Sequence, residues 1–413
     1  MFSSGAHLKP VTRLFLIQTG WTLAMFLASN FVGAWFWDIG TGLRSILLFY
    51  ALIFVMMVTS FGLASRIRGR ISSPLLMTLG IILNALYLAL LLILKTKTRE
   101  YFIPLALLDG LSSSFYWLSL FVLASSWVES GQASWYNSWT GTIEAVLGLL
   151  APVMSGWVIR VLPGLAGYRT VFFIAFVSLL ACAWLILTAH HRLPKSQPEE
   201  WDAPSSTPVE IPGWRRLSWS FWALGMRDGV YFFVPSLLLF IVTDNTVLLG
   251  TFAAMQAAIE GGLFWALTRW SGALAEEKGL FAAMLVSLTA LGLLVLPLTA
   301  VVLFLLGAAI AISYPSFKVR LESAALTAIT QVSRDDQDRV RLTGLKEVWI
   351  NGGRLMSLLI VLGIVTLIGR PDLRVFRWIL SLWSFVAVVL FFTARRLPRA
   401  QALKNSSDSA PQS

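Results

Sequence analysis

The residues of this chain that could do chemistry sit where charge is costly. The stretch PLALLDGLSSSFYWLSLF carries Asp109, Ser112, Ser113 and Tyr116 at i, i+3, i+4 and i+7, one polar stripe on an otherwise apolar helix. The stretch WALGMRDGVYFFVP sets Arg227 beside Asp228, with Gly229 and Pro235 able to break a helix nearby. Glu144, Glu260 and Arg354 lie in three further apolar runs, and Tyr314 precedes Pro315 in a fourth. A charge inside a bilayer costs a few kcal/mol on insertion scales, so each needs a reason. Arginine stays charged, whereas a carboxyl group removed from water holds its proton more tightly and can carry it. Asp109 or Glu260 therefore suits proton coupling. Arg227 or Arg354 suits pairing with a carboxylate or holding an anionic solute. Neighbours on a helix diverge by about 100°, so Asp228 is expected to pair with another helix rather than with Arg227. For Arg354 and Glu144 the competing reading is a structural lock between helices.

The elements that hold these residues are membrane spans. The chain of 413 residues is 57% hydrophobic and 13% charged, with a mean hydropathy of +0.75. A soluble chain carries roughly 25% charged residues, and a protein this apolar has no way to cover its surface for water. Runs of membrane length fall at 14–37, 43–64, 74–94, 101–127, 137–160, 170–190, 218–241, 247–269, 280–297, 299–317, 343–368 and 375–394, which is twelve. The first run is too long for a signal-peptide core and reads as a retained span. With the N-terminus inside, Lys and Arg in inside segments outnumber those in outside segments by more than two to one, although the loop KTKTRE at 95–100 runs against the trend. The net charge of +11 is spread over short loops, so it orients the chain and does not suggest a nucleic-acid partner. The single cysteine, Cys182, rules out an intrachain disulfide. No phosphate-binding loop, metal-spaced His/Cys cluster or nucleophile elbow is present, so neither an enzyme nor a cofactor or metal is expected.

One polar segment, HRLPKSQPEEWDAPSSTPVEIPGWRR at 191–216, divides the spans six and six and reads as a cytoplasmic linker. The two halves share a small repeat. GLASRIRG (62–69) lies between the second and third spans of the first half, and GALAEEKG (272–279) between the second and third spans of the second. Each is a glycine, a charged residue four positions on, and a second glycine three further. This resembles the signature loop of the major facilitator superfamily of secondary transporters, Gly-x-x-x-Asp-Arg-x-Gly-Arg. Gly62, Gly69 and Arg70 match it, while Arg66 and Ile67 replace its Asp and Arg. In the second copy Gly272, Glu276 and Gly279 match. The text LTGLKEVWINGGRLMS (342–357) also looks like a poorly characterised bacterial branch of that superfamily.

The resemblance implies an all-α membrane protein of twelve transmembrane helices in two six-helix bundles, related by an axis along the membrane normal and working by alternating access. The expected parts are bundles at 1–190 and 218–394, a linker at 191–217 and a disordered tail at 395–413. The signature loops would latch the bundles, and spans 1, 4, 7 and 10 would line a cavity. Aromatic residues Phe115, Tyr116, Trp117, Tyr231, Phe232 and Phe233 favour an amphipathic organic solute, and the arginines an anion. The expected function is a secondary active transporter of a small organic solute in the bacterial plasma membrane. It would be coupled to protons, act as a monomer with both termini cytoplasmic, and take the lipid bilayer and the solute as partners. Import and efflux are both open. The alternative is a membrane receptor or assembly factor that keeps the fold without transporting, motivated by Arg66 at the usual Asp position.

Overall fold

A computed structural model of the chain describes residues 9–67, 72–128, 132–188, 213–269, 277–332, 336–369 and 373–397. Among the described residues there is no strand. The helices are α1 (Pro10–Asp38), α2 (Leu43–Ile67), α3 (Ser73–Leu94), α4 (Phe102–Trp127), α5 (Ala133–Val161), α6 (Ala166–Leu187), α7 (Trp214–Tyr231), α8 (Val234–Thr243), α9 (Thr246–Arg269), α10 (Glu277–Leu288), α11 (Ala300–Val332), α12 (Asp336–Ile368), α13 (Leu373–Trp383) and α14 (Val386–Ala394).

These make twelve membrane segments. Eleven stretches are long and apolar enough to cross a bilayer, with α7–α8 and α13–α14 each counted as one broken span. The twelfth is α10, which continues as a 3-10 turn over Thr289–Leu294 and ends before Pro297. Many outward apolar side chains are exposed, such as Trp157, Val161, Leu305 and Leu367, the surface expected where lipid rather than water is the solvent.

The sequence fixes where helices begin and break. Proline stands in the first turns of α1, α3 and α8, where its missing N–H costs nothing. Asn245 starts α9 by accepting from the backbone N–H groups of Val247 and Leu248 at 2.9 and 3.2 Å. The gap between α7 and α8 falls at Phe232–Phe233, because Pro235 has no N–H to give the Tyr231 carbonyl. α11 contains Pro315 and still runs for 33 residues, about 50 Å at 1.5 Å per residue. That exceeds a bilayer core of ~30 Å. Lys318, Arg320 and Glu322, expected in a loop after residue 317, are therefore helical.

Contacts group the chain into two units. One comprises residues 1–41, 59–202 and 245–254, the other 42–58, 203–244 and 255–413. In the first unit α1 packs on α6 and α5, and α3 on α4 and α6. The α1 seam is Leu14, Ile17, Trp21, Ala24, Ala28 and Phe31, alternating steps of three and four, each fully or almost fully buried. The beginning of α9 joins this unit. Thr246 donates to the Gly156 carbonyl of α5 at 3.0 Å, and a side chain at Gly250 would collide with the Pro152 carbonyl. In the second unit α7 packs on α12 and α14, and α10 on α11. Its core gathers Leu217, Phe221, Leu224, Leu280, Phe317, Leu321, Ile350 and Leu390. The first part of α2 belongs here, with Tyr50 stacked on Phe233 at 4.1 Å.

Candidate functional site

The second unit carries a charged core, and small residues bring it together. A Cβ on Gly225 would collide with the Ile350 carbonyl, one on Gly229 with the Arg354 carbonyl, and one on Gly353 with the Trp222 carbonyl. α7 and α12 thus cross backbone to backbone, the close approach that small residues permit in membrane helices. The crossing sets Arg354 opposite Asp228, Nη2 to Oδ2 at 3.4 Å. Arg227 Nη1 lies 3.4 Å from the other carboxylate oxygen of Asp228. The expectation that Asp228 would pair across helices and not with its neighbour is half corrected. Asp228 does both, because the two guanidinium nitrogens of Arg227 divide, Nη1 toward Asp228 and Nη2 toward α11.

Arg227 is only 2% exposed. Its Nη2 donates to the Ile310 carbonyl at 2.7 Å and to Ser313 Oγ at 2.9 Å on α11. Its Cζ stands 5.4 Å from the Tyr314 ring centre and 5.6 Å from that of Tyr231, within cation–π range. Its Nε finds no partner among the described residues. Arg354 also donates to Asn351 Oδ1 at 3.2 Å and lies 5.7 Å from the Phe54 ring centre.

Glu260, half-buried on α9, lies within electrostatic reach of Arg227, Lys318 and Asp228. Phe264 of α9 meets the Tyr314 ring of α11 edge-on at 6.5 Å. Lys318 places its ammonium 5.2 Å from the Tyr314 ring centre. Sequence reasoning missed Lys318 by ending the span one residue early. A turn further along α11, Glu322 accepts from Lys346 of α12 at 2.9 and 3.0 Å, and Lys346 also meets Glu347 at 3.3 Å. Arg227, Lys318, Lys346 and Arg354 are thus matched in number by Asp228, Glu260, Glu322 and Glu347.

The first unit holds two smaller polar groups. Asp109, half-buried on α4, accepts from Asn84 Nδ2 of α3 at 3.0 Å. The same amide donates to Ser112 Oγ at 3.0 Å, and Ser112 donates to the Asp109 carbonyl at 2.8 Å. Gly80 permits this contact, since a Cβ there would lie 2.7 Å from the Tyr116 nitrogen. Tyr116 is fully buried and stacked flat on Trp21 of α1, centroids 3.7 Å apart. Its hydroxyl has no partner among the described residues. Glu144 is exposed on α5 and accepts from Gln18 Nε2 at 3.2 Å, while the Tyr136 hydroxyl donates to Gln18 Oε1. Tyr136 was not singled out by its sequence.

The aromatic residues expected to line a cavity differ in exposure. Phe115, Tyr116, Tyr231 and Phe233 are buried in packing, and only Trp117 and Phe232 are open. Gly62 and Arg66 fall in the last turns of α2, and Gly279 is buried in the first turn of α10. Gly69, Arg70, Gly272 and Glu276 lie outside the described residues, as do residues 191–212 of the expected linker and 398–413 of the expected tail, while 214–217 of the linker already form the first turn of α7. Among the described residues no group of three or more His, Cys, Asp or Glu could hold a metal ion.

This architecture is found in solved transporters. The E. coli fucose:proton symporter FucP matches with a TM-score of 0.60 at 12% identity, over 94% of this chain and 98% of that one. The nucleoside transporter NupG matches with a TM-score of 0.66 at 13% identity, over 95% and 100%. A bacterial homologue of the iron transporter ferroportin, in its inward-facing state, matches with a TM-score of 0.66 at 15% identity, over 93% and 97%. The chain therefore has the twelve-helix, two-bundle fold of the major facilitator superfamily and is a multi-pass membrane protein. Among curated sequences, the uncharacterised protein YqgE of Bacillus subtilis is 27% identical over 358 residues, 86% of this chain and 83% of that protein. A Geobacillus stearothermophilus protein from the sodM 3' region is 26% identical over 162 residues, 39% of this chain and 75% of that protein. No family model matches the sequence.

Proposed function

We propose that the chain is a secondary active transporter that moves a small organic solute across the plasma membrane by alternating access, coupled to protons. It works as a monomer with both termini in the cytoplasm, and as two bundles at 1–190 and 218–394 joined by the linker. The fold supports the transporter reading, because the solved proteins that share it include a fucose:proton symporter, a nucleoside transporter and a homologue of an iron transporter. That spread also means the fold alone does not choose the cargo.

The observation that carries the reading is the charged core of α7, α9, α11 and α12. Its cations and carboxylates balance only while every acid is ionised. Protonating Glu260 leaves one positive charge in excess beside Arg227 and Lys318, and an anionic group on the solute offsets it. Proton and anionic solute then favour each other's binding. Asp109, which accepts from the neutral amide of Asn84, is the second candidate proton site, because protonating it strands no cation. Tyr314 lies between Arg227 and Lys318 and lines the same core.

Proteoliposomes holding wild type, Asp109→Asn or Glu260→Gln test this with a panel of organic anions and amphipathic cations. An anion is expected to drive proton uptake in wild type, and Glu260→Gln to abolish proton movement while leaving anion exchange. Loss of proton movement in Asp109→Asn alone would transfer the role to Asp109. Absence of flux with every compound would count against transport itself.

A further inference from the structure

One end of the second unit is strongly basic, and none of the transport chemistry above uses it. Arg216 near the start of α7 donates to the Arg396 carbonyl at 3.2 Å, and Arg320 of α11 donates to the Leu397 carbonyl. Both arginines cap the end of α14, where backbone carbonyls lack helical partners. Arg395 and Arg396 follow α14, and Lys278 stands in the first turn of α10. Five cations therefore meet at the level where α7, α10, α11 and α14 leave the membrane. Beside them Glu277 lies 3.4 Å from Arg395.

Between α10 and α14 the same end opens into a groove of about 400 Å³, lined by Glu277, Lys278, Phe281, Phe391 and Arg395. Phe281 and Phe391 give it an aromatic floor, edge-on at 5.7 Å, and Phe391 meets the adjoining Phe392 edge-on at 5.3 Å. The Arg395 guanidinium lies over both rings of the latter pair, 5.3 and 4.8 Å from their centres. Phe281 and Phe392 are each almost half exposed. An apolar slot lined by the cations Lys278 and Arg395 at the ends of α10 and α14 matches one kind of molecule in both of its parts.

We infer that this groove binds an anionic phospholipid, its phosphate between Lys278 and Arg395 and an acyl chain along Phe281 and Phe392. A guanidinium held over aromatic faces keeps its N–H edge free for a phosphate. Basic pockets between spans are where anionic headgroups are recognised. The aromatic floor commits the site to a lipid rather than to free phosphate, which would leave that floor exposed. Glu277 competes with the headgroup for Arg395, so its removal should tighten binding.

The test is thermal unfolding of the full-length protein in detergent with added phosphatidylglycerol, phosphatidylcholine or inorganic phosphate. Phosphatidylglycerol is expected to raise the wild-type midpoint more than phosphatidylcholine does, with phosphate inert. Lys278→Gln with Arg395→Gln should erase the difference between the two lipids. Glu277→Gln should reach the same shift at a several-fold lower phosphatidylglycerol concentration. An equal response to both lipids, an unchanged response in the double variant, or a response to phosphate matching that to phosphatidylglycerol would each overturn the proposal. The opposite sign expected for Glu277→Gln separates a binding role from a general loss of stability.

Discussion

Asp228 is the residue on which most of the second unit's charge chemistry converges. It is buried and shared by two guanidinium groups at 3.4 Å. Removing one member of a buried ion-pair set leaves uncompensated charge and costs about 3–5 kcal/mol. Asp228→Asn is therefore expected to lower the unfolding midpoint markedly in detergent. Asp244→Asn makes the same chemical change at an exposed left-handed position, φ 47°, which asparagine tolerates, and should leave the midpoint unchanged. Much at this scale was legible. Arg227, Asp228, Glu260 and Arg354 stood out because charge in apolar text is rare, and the partner of Asp228 on another helix followed from helical divergence. Lys318 was not legible, since a cation after Tyr-Pro-Ser-Phe reads as the start of a loop. Nor was Tyr136, whose role depends on meeting Gln18 from a distant helix.

At the scale of elements, the α7–α12 crossing decides where the charges meet. Gly225→Ala or Gly353→Ala forces a methyl group into a carbonyl and should cost about 1–3 kcal/mol, as overpacking does. Gly352→Ala is the control. A Cβ there meets nothing within 4 Å, and replacing a helical glycine by alanine stabilises by roughly 0.5–1 kcal/mol. Thermal unfolding of the three variants should thus split by sign between adjacent positions. The twelve spans and the break near Pro235 could be read from apolar run length and proline placement. The reach of α11 and α12 past the bilayer could not, because their polar ends look like loop text when only hydropathy is read. The glycines themselves were visible, but which of them touch a neighbouring backbone depends on rotational positions that one sequence does not give.

For the molecule as a whole, the charge asymmetry of the loops makes a prediction about sidedness. Lys97→Cys stands exposed in the 3-10 turn after α3 and should react with a membrane-impermeant maleimide added to intact cells. Ser406→Cys in the tail should react only after permeabilisation. Cys182 is buried and should stay silent. Reversal of the two results would invert the topology. The fold class was legible at this scale from composition and a repeated glycine skeleton. The grouping of 42–58 with the second unit and of 245–254 with the first was not. It arises from contacts such as Tyr50 with Phe233 and Thr246 with Gly156, which are remote in sequence.

The glycine crossing also bears on descent. Whatever cargo a relative carries, a side chain at position 225 or 353 meets backbone alone, and one at 229 meets the Arg354 backbone as well as the Ser357 hydroxyl. Mutational drift should spare these three sites long after Glu260 and Lys318 have been exchanged to suit a different solute. An ancestral lineage would then be traced by its missing side chains more faithfully than by its charges.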